Sequence, residues 1–172
     1  SVVDKPIDVT SEDVARALGK RLVHRIDKAT SGLLILADDA RTVQRMQRLL
    51  AGGQVRRAYR FVAAGALAAQ VIESELVRDR GDGKRGSGVG GKRATTEIVD
   101  VTVRGDVSHG TARLHTGRTH QIRIHLAEAG HPIVGDAVYG DRGERMLLHA
   151  AELSFTHPNT HALVEVNSAI PW

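Results

Sequence analysis

The pattern of apolar and polar positions predicts short strands interleaved with a few helices. Residues 32–37 (GLLILA) form an unbroken apolar run of strand length, which is typical of a strand buried on both faces. The opening SVVDKP predicts a strand that ends at Pro6. Further strands are predicted at residues 58–65, 71–77, 95–103 and 110–116, and the third alternates Ile98, Asp100 and Thr102 with Val99, Val101 and Val103.

Three other segments have helical spacing. Thr10 or Ser11 can cap a short helix that stops at Gly19, and Asp38 or Asp39 can cap a second helix that ends at Gly52-Gly53. Residues 117–129 (GRTHQIRIHLAEA) predict a third helix, which ends before Gly130 and Pro132. The second helix is amphipathic: its apolar face carries Val43, Met46 and Leu50, and its outer face carries Arg41, Arg45 and Arg48.

The composition is that of one globular domain. The chain has 172 residues, of which 41% are hydrophobic and 26% charged, and it has no apolar run of about 20 residues or signal-like start. We therefore expect a soluble, cytoplasmic protein. The absence of cysteine excludes disulfides, thiolate nucleophiles and Cys-containing zinc sites. His120 and His125 lie five apart, about 140° around a helix, so they cannot bind one metal ion together, and we expect no metal.

Arginine dominates the positive charge. The 24 Lys and Arg residues exceed the 20 Asp and Glu, and residues 41–60 hold six Arg and no acidic residue, which indicates a polyanionic partner. A GC-rich genome that favours Arg codons is the alternative explanation. Residues 81–93 predict a flexible, basic, Gly-rich loop. Gly86, Gly91 and Lys92 have P-loop spacing, but Arg93 replaces the Ser or Thr and a strand follows, so we expect no nucleotide cofactor.

Two charged residues are candidates for chemistry. Asp27 lies between Arg25 and Lys28 in a polar segment just before the buried strand, and these cations favour its ionised form. Such a carboxylate can be a nucleophile, a base, a metal ligand or a plain turn residue, and the residues alone leave all four open. Arg123 lies beside the apolar face of the third helix, where it is either a surface cation or the partner of a carboxylate.

Five blocks together resemble the RluA-type pseudouridine synthases. They occur in the family's order and span most of the chain: HRIDKATSGLLILA (24–37), RRAYRFVAAG (56–65), GKRATTE (91–97), LHTGRTHQIRIHLAEAGHPIVGDAVYG (114–140) and LLHAAELSFTHP (147–158). The opening DKPIDVTSEDVARAL is more similar to the TruB-type tRNA enzymes. The resemblance implies conversion of uridine in RNA to its C-glycoside isomer, without cofactor or metal.

The resemblance also implies residue roles. Asp27 matches the catalytic nucleophile, Tyr59 the tyrosine that packs on the target base, and Arg123 the cation that pairs with the aspartate. Arg25 matches the arginine that enters the helix stack when the uridine is flipped out. Further substrate contacts are expected at His24, Thr30, Arg118, Thr119, His120 and Gln121. Arg41, Arg45, Arg48 and the loop at residues 81–93 are expected to contact phosphates.

For the whole chain, the resemblance implies an α+β fold, with a mixed, mainly antiparallel sheet, flanking helices and a central RNA-binding cleft. We expect residues 1–172 to form a single catalytic domain, a compact family member without an S4-like module. The expected partner is ribosomal or transfer RNA, and the expected state is a monomer not bound to a membrane. A non-catalytic RNA-binding or RNA-chaperone protein on the same scaffold is the alternative.

Overall fold

The computed structural model describes all 172 residues, Ser1–Trp172, and their contacts form two compact units. The first unit comprises Ser1–Tyr59 with His149–Trp172, and the second comprises Arg60–Leu148. In chain order the elements are β1 (Val2–Lys5), α1 (Ser11–Ala17), β2 (Arg21–Leu22), β3 (Ser31–Ala37), α2 (Ala40–Ala51), β4 (Arg56–Ala64), β5 (Gln70–Val77), β6 (Gly86–Ser87), β7 (Lys92–Arg104), β8 (Val107–Leu114), α3 (Gln121–Glu128), β9 (Leu148–Thr156) and β10 (Leu163–Asn167).

Strand β3 is the centre of the first unit. All seven of its residues are buried, as its apolar run predicts. Strands β1 and β2 pair with it antiparallel, β9 pairs with it in parallel, and β10 extends the sheet antiparallel to β9. Gly32 lies at the parallel junction with φ +108°, and a Cβ there would lie 2.3 Å from the carbonyl oxygen of Ala150. Only glycine therefore allows β3 and β9 to approach this closely.

The first two helices begin at the predicted caps. The Thr10 hydroxyl accepts a hydrogen bond from the Asp13 N–H, and the Asp39 carboxylate accepts one from the Thr42 N–H at 2.8 Å. The apolar face of α2 packs into the core of the first unit, where Met46 is fully buried. The other members of this core cluster are Val23, Leu33, Ile35, Ala37, Val55, Leu153 and Phe155.

In the second unit, the long strand β7 pairs antiparallel with β5 and β8, and β6 pairs with β5. The alternation that the sequence shows from Ile98 to Val103 does not continue through the strand. The register shifts between Val99 and Thr102, Asp100 adopts φ +51°, and Val103 is 49% exposed. This irregularity has the form of a β-bulge, which turns the later residues away from the core.

Helix α3 is shorter than predicted, because residues 117–120 form a loop and turn before it. It is also not amphipathic, since every side chain from Gln121 to Leu126 is buried. Within the segment at residues 81–93, Gly86–Ser87 form strand β6, and the flexibility of this segment stays a prediction.

The predicted α+β class is confirmed. Strands β3 and β9 pair in parallel, the other strand pairings described above are antiparallel, and the chain has three helices. The central RNA-binding cleft stays a prediction. None of the three helices has both the length and the apolar character needed to cross a bilayer.

Candidate active site

The loop that carries Asp27 joins β2 to β3 and is tied to the start of α1. The Ser11 hydroxyl donates to the Ile26 carbonyl and accepts from the Ile26 N–H, both at 3.1 Å. The Thr30 N–H donates to the Asp27 carbonyl at 3.0 Å, which closes a turn, and the Thr30 side chain is buried. Asp27 itself is half-buried. The backbone around this carboxylate is therefore held on both sides.

A fully buried lysine, which the sequence analysis missed, supports the same loop. The Lys5 ammonium donates three hydrogen bonds to backbone carbonyls, to Pro6 and Val9 at 2.8 Å and to Lys28 at 3.1 Å. Burial lowers the pKa of Lys5 from 10.5 to about 8, although the nearby charge of Asp27 acts in the opposite direction. Lys5 thus places a positive charge near Asp27 and joins the β1 end to the Asp27 loop.

His24 attaches the start of the loop to β3. Its Nε2 accepts a hydrogen bond from the Ile35 N–H at 3.1 Å, so this nitrogen carries no proton. Burial and the positive charge of Arg57 lower the pKa of His24 to about 4. Arg25, by contrast, projects into solvent with 72% of its side chain exposed, and it contacts Glu12 at 3.4 Å. Substrate contacts of His24 and Arg25 stay predictions.

Tyr59 lies on β4 within the first unit and is only 7% exposed. Burial raises the pKa of its phenol; the charge of Arg57 lowers it and the charge of Asp27 raises it further, with a net increase. The phenol therefore stays protonated at neutral pH. Tyr59 and Asp27 both belong to the first unit.

Arg123, in the second unit, is buried and paired with a carboxylate. Its Nε and Nη2 donate to the two oxygens of Asp136 at 2.7 and 2.8 Å, and its Cζ lies 5.1 Å from the centre of the Tyr139 ring. Burial alone would raise the pKa of Asp136, but hydrogen bonds from Arg123 and from the Val138 and Tyr139 N–H groups hold it below its usual range. Arg123 is therefore the partner of a carboxylate rather than a surface cation, and sequence reasoning missed that this carboxylate is Asp136. Pairing of Arg123 with Asp27 stays a prediction.

The residues before and at the start of α3 separate into exposed and structural groups. Arg118 and Thr119 are exposed, and the Arg118 Nε donates to the Arg93 carbonyl at 3.0 Å. Gln121 is buried, and its side-chain amide bonds to Thr116, to Thr96 and to the backbone of Thr95 and Arg118. His120 adopts φ +59° and its Nδ1 lies 2.9 Å from the Tyr139 hydroxyl. Gln121 therefore holds the loop, and a substrate contact by any of these residues stays a prediction.

The basic outer face of α2 matches the sequence pattern. Arg41 and Arg48 are exposed, and Arg45 donates to the side chain of Asn159. A polar cleft of about 630 Å³ runs along this face and is lined by Asp39, Arg41, Thr42, Arg45, Pro158, Asn159 and His161. Its carboxylate, Asp39, is already engaged as the cap of α2. Two guanidinium groups thus border an open cleft in the same unit as Asp27.

Comparison with known proteins identifies relatives. Residues 8–128 match the family model described as RNA pseudouridylate synthase. The chain is 37% identical over 168 residues to the "Ribosomal large subunit pseudouridine synthase D" of Neisseria meningitidis, covering 87% of this chain and 45% of that protein. It is 38% identical over 160 residues to an "Uncharacterized RNA pseudouridine synthase" of Chloroflexus aurantiacus, covering 87% of this chain and 50% of that protein.

The fold is similar to that of a solved structure whose name contains the same family description. The human "RNA Pseudouridylate Synthase Domain Containing 1" superimposes with a TM-score of 0.83 and 31% identity, covering 99% of this chain and 79% of that chain. The chain spans about half the length of the curated relatives it matches.

Proposed function

The chain belongs to the RNA pseudouridylate synthase family, and on that premise we propose that it isomerises uridine to pseudouridine in RNA. The observation that carries the proposal is the match over residues 8–128, which includes the Asp27 loop, Tyr59 and Arg123. Ribosomal RNA is the first substrate to test, because relatives are named as ribosomal large subunit enzymes, and transfer RNA is the second.

The reaction breaks the bond between uracil N1 and ribose C1′ and forms a bond between C5 and C1′. The C5 proton leaves and N1 gains a proton, so the net change is an isomerisation that needs no oxidant or reductant. Asp27 acts either as the nucleophile that attacks C1′ and displaces uracil, or as the base that removes the C2′ proton while uracil leaves, which gives a glycal-type intermediate. Its support is the fixed loop: hydrogen bonds from Lys5 and Ser11 hold the backbone on either side of the carboxylate.

Arg123 keeps the nucleophile ionised and oriented in this proposal. The support for this role is that Arg123 is buried and that its bidentate pair with Asp136 fixes the orientation of the guanidinium. Tyr59 packs on the target base. Because burial keeps its phenol protonated, Tyr59 assists transfer of the C5 proton through the hydroxyl rather than as a phenolate.

Arg25 supports extrusion of the target nucleotide. Flipping a stacked base costs a few kcal/mol, and a planar guanidinium in the vacated space offsets part of that cost. Arg25 lies two residues before Asp27 and its side chain is largely exposed, so it can reach RNA without first leaving a buried site.

The proposal is tested by incubating the protein with bulk ribosomal and transfer RNA and mapping pseudouridine at single-nucleotide resolution. Wild type forms pseudouridine, and Asp27→Asn forms none, because an amide cannot replace the carboxylate nucleophile. Glu152→Gln is the matched control, since it removes one exposed negative charge from the same unit and should leave the yield unchanged.

No product from wild type on either RNA, or equal product from Asp27→Asn, would overturn the proposal. RNA binding with a biological effect that survives Asp27→Ala would identify the non-catalytic alternative.

A further inference from the structure

The second unit contains a groove whose lining is strongly basic. Its volume is about 550 Å³. The lining residues come from the end of β5, the segment before β7, and the loop that precedes α3; they are Leu76, Val77, Arg78, Arg85, Gly90, Gly91, Lys92, Gly117, Arg118 and Thr119. Two segments that looked separate in the sequence, the Gly-rich segment and GRTHQ, therefore meet at one surface.

The cations that line this groove have no salt-bridge partner in the protein. The lining contains four cations and no carboxylate, and none of the four forms a salt bridge. Two cations near them in sequence are paired: Arg80 contacts Asp82 at 2.8 Å, and Arg93 contacts Glu73 at 3.0 Å. Arg80 and Arg93 thus have carboxylate partners, whereas the four cations that line the groove have none.

The groove is held open by backbone rather than by bulky side chains. Gly90 donates its N–H to the Glu75 carboxylate at 2.9 Å. A Cβ on Gly91 would lie 2.7 Å from the Leu76 carbonyl oxygen, so a larger residue cannot occupy that position without moving the wall. The Arg118 Nε is fixed on the Arg93 carbonyl at 3.0 Å, which leaves its two terminal nitrogens directed to other partners.

The side chains that line the groove indicate which class of ligand it can bind. Guanidinium and ammonium groups bind phosphate oxygens, and four of them around one groove suit a chain of phosphates better than a single anion. No aromatic ring lines the groove, so bases cannot stack there and the recognition is of backbone rather than sequence. We propose that this groove binds the phosphodiester backbone of the RNA substrate, an inference that rests on the proposed function.

The test is the salt dependence of RNA affinity in the double variant Arg85→Ala/Lys92→Ala. The dissociation constant for a short single-stranded RNA oligonucleotide is measured across a range of salt concentrations. Removing one phosphate-binding cation lowers the slope of log affinity against log salt by about 0.7 for single strands, so the slope of the double variant should fall by about 1.4. A slope equal to that of wild type would overturn the proposal.

Arg104→Ala is the matched control. Arg104 ends β7 and Lys92 begins it, roughly 40 Å apart for an extended strand, and both are exposed cations of the same unit. The control variant should keep the wild-type slope and the wild-type yield of pseudouridine. A fall of about 0.7 for Arg104→Ala, equal to the fall per charge in the double variant, would show that only net charge matters, and the groove would not be a site.

Two further measurements separate the possible failures. Inorganic phosphate is added at a concentration equal to that of the phosphate groups in the oligonucleotide, and it should not displace the oligonucleotide. Displacement would indicate a site for a small anion instead. If wild type forms pseudouridine while the double variant keeps the full slope, the groove is wrong and the proposed function stands. If the slope falls but wild type forms no pseudouridine, the groove binds RNA and the proposed function fails.

Discussion

Two buried cations of this protein are satisfied in different ways. Lys5 donates to three backbone carbonyls, which carry only partial negative charge, whereas Arg123 binds a full carboxylate at Asp136. Loss of the Lys5 charge leaves only neutral carbonyls, whereas loss of the Arg123 charge would leave the buried Asp136 carboxylate without a counter-ion. The charge of Lys5 is therefore easier to neutralise. The two residues therefore respond differently to pH and to substitution.

Asp136→Asn should destabilise the protein strongly. The amide cannot balance the buried guanidinium of Arg123, and removal of one member of a buried ion pair costs about 3 to 5 kcal/mol. The free energy of unfolding, measured by urea titration, should fall by that amount, whereas the same substitution at the exposed Asp141 should change it little. A decrease for Asp136→Asn of less than about 1 kcal/mol would show that the pair contributes little.

The contribution of Lys5 to stability should increase with pH. Its pKa is about 8 in the folded protein against 10.5 ordinarily, so below pH 8 the folded and unfolded chains bind this proton equally. Between these values the unfolded chain binds more protons, and the free energy of unfolding rises with pH. The free energy of unfolding of wild type minus that of Lys5→Met should therefore increase by up to about 3 kcal/mol between pH 8 and pH 10.5. A difference that is constant with pH would contradict the buried, easily neutralised amine.

At the scale of elements, α2 combines a core face with a basic outer face. Met46 is buried among the residues of the first unit while Arg41 and Arg48 are exposed, and no acidic residue lies in the first turn. A helix with this division of side chains can contact a polyanion without giving up its packing.

The triple variant Arg41→Ala/Arg45→Ala/Arg48→Ala should weaken RNA binding and reduce its salt dependence. For every arginine that binds a phosphate, its removal lowers the slope by about 0.7 to 0.9, depending on whether the RNA is single- or double-stranded. Fluorescence anisotropy across a salt series measures this. Arg16→Ala on α1 is the control, because Arg16 is exposed and paired with Asp13. An unchanged slope in the triple variant would place α2 away from the RNA.

The same elements show what a sequence pattern can and cannot predict. The buried strand β3 and the capped helix α2 follow from local signals, an apolar run and an Asp before a periodic segment. The bulge at Asp100 depends on the register of β7 against β8, which no local pattern encodes. The predicted α3 begins too early, because His120 adopts a left-handed conformation that residues other than glycine seldom adopt, and the backbone turns there.

For the molecule as a whole, the order of the five sequence blocks predicts the family and the fold class, and both are confirmed. The positioning residues were harder to predict. Lys5 lies in a sequence that is typical of an ordinary strand end. One of its hydrogen-bond acceptors is the carbonyl of Lys28, which is distant in sequence and which no local pattern indicates. Asp136 lies thirteen residues after Arg123, at a distance in sequence that no helical or strand period connects.

The parallel pairing of β3 with β9 has a consequence for synthesis of the protein. Gly32 of β3 pairs with Ala150 of β9, so β3 cannot complete its pairing until a strand more than a hundred residues later has been translated. A nascent chain that has emerged only as far as β8 lacks the β9 strand that pairs with Ser31 and Gly32 at one edge of β3. Ribosome stalling before β9 therefore exposes an aggregation-prone strand, and this edge is covered only after His149 and Ala150 have left the ribosome.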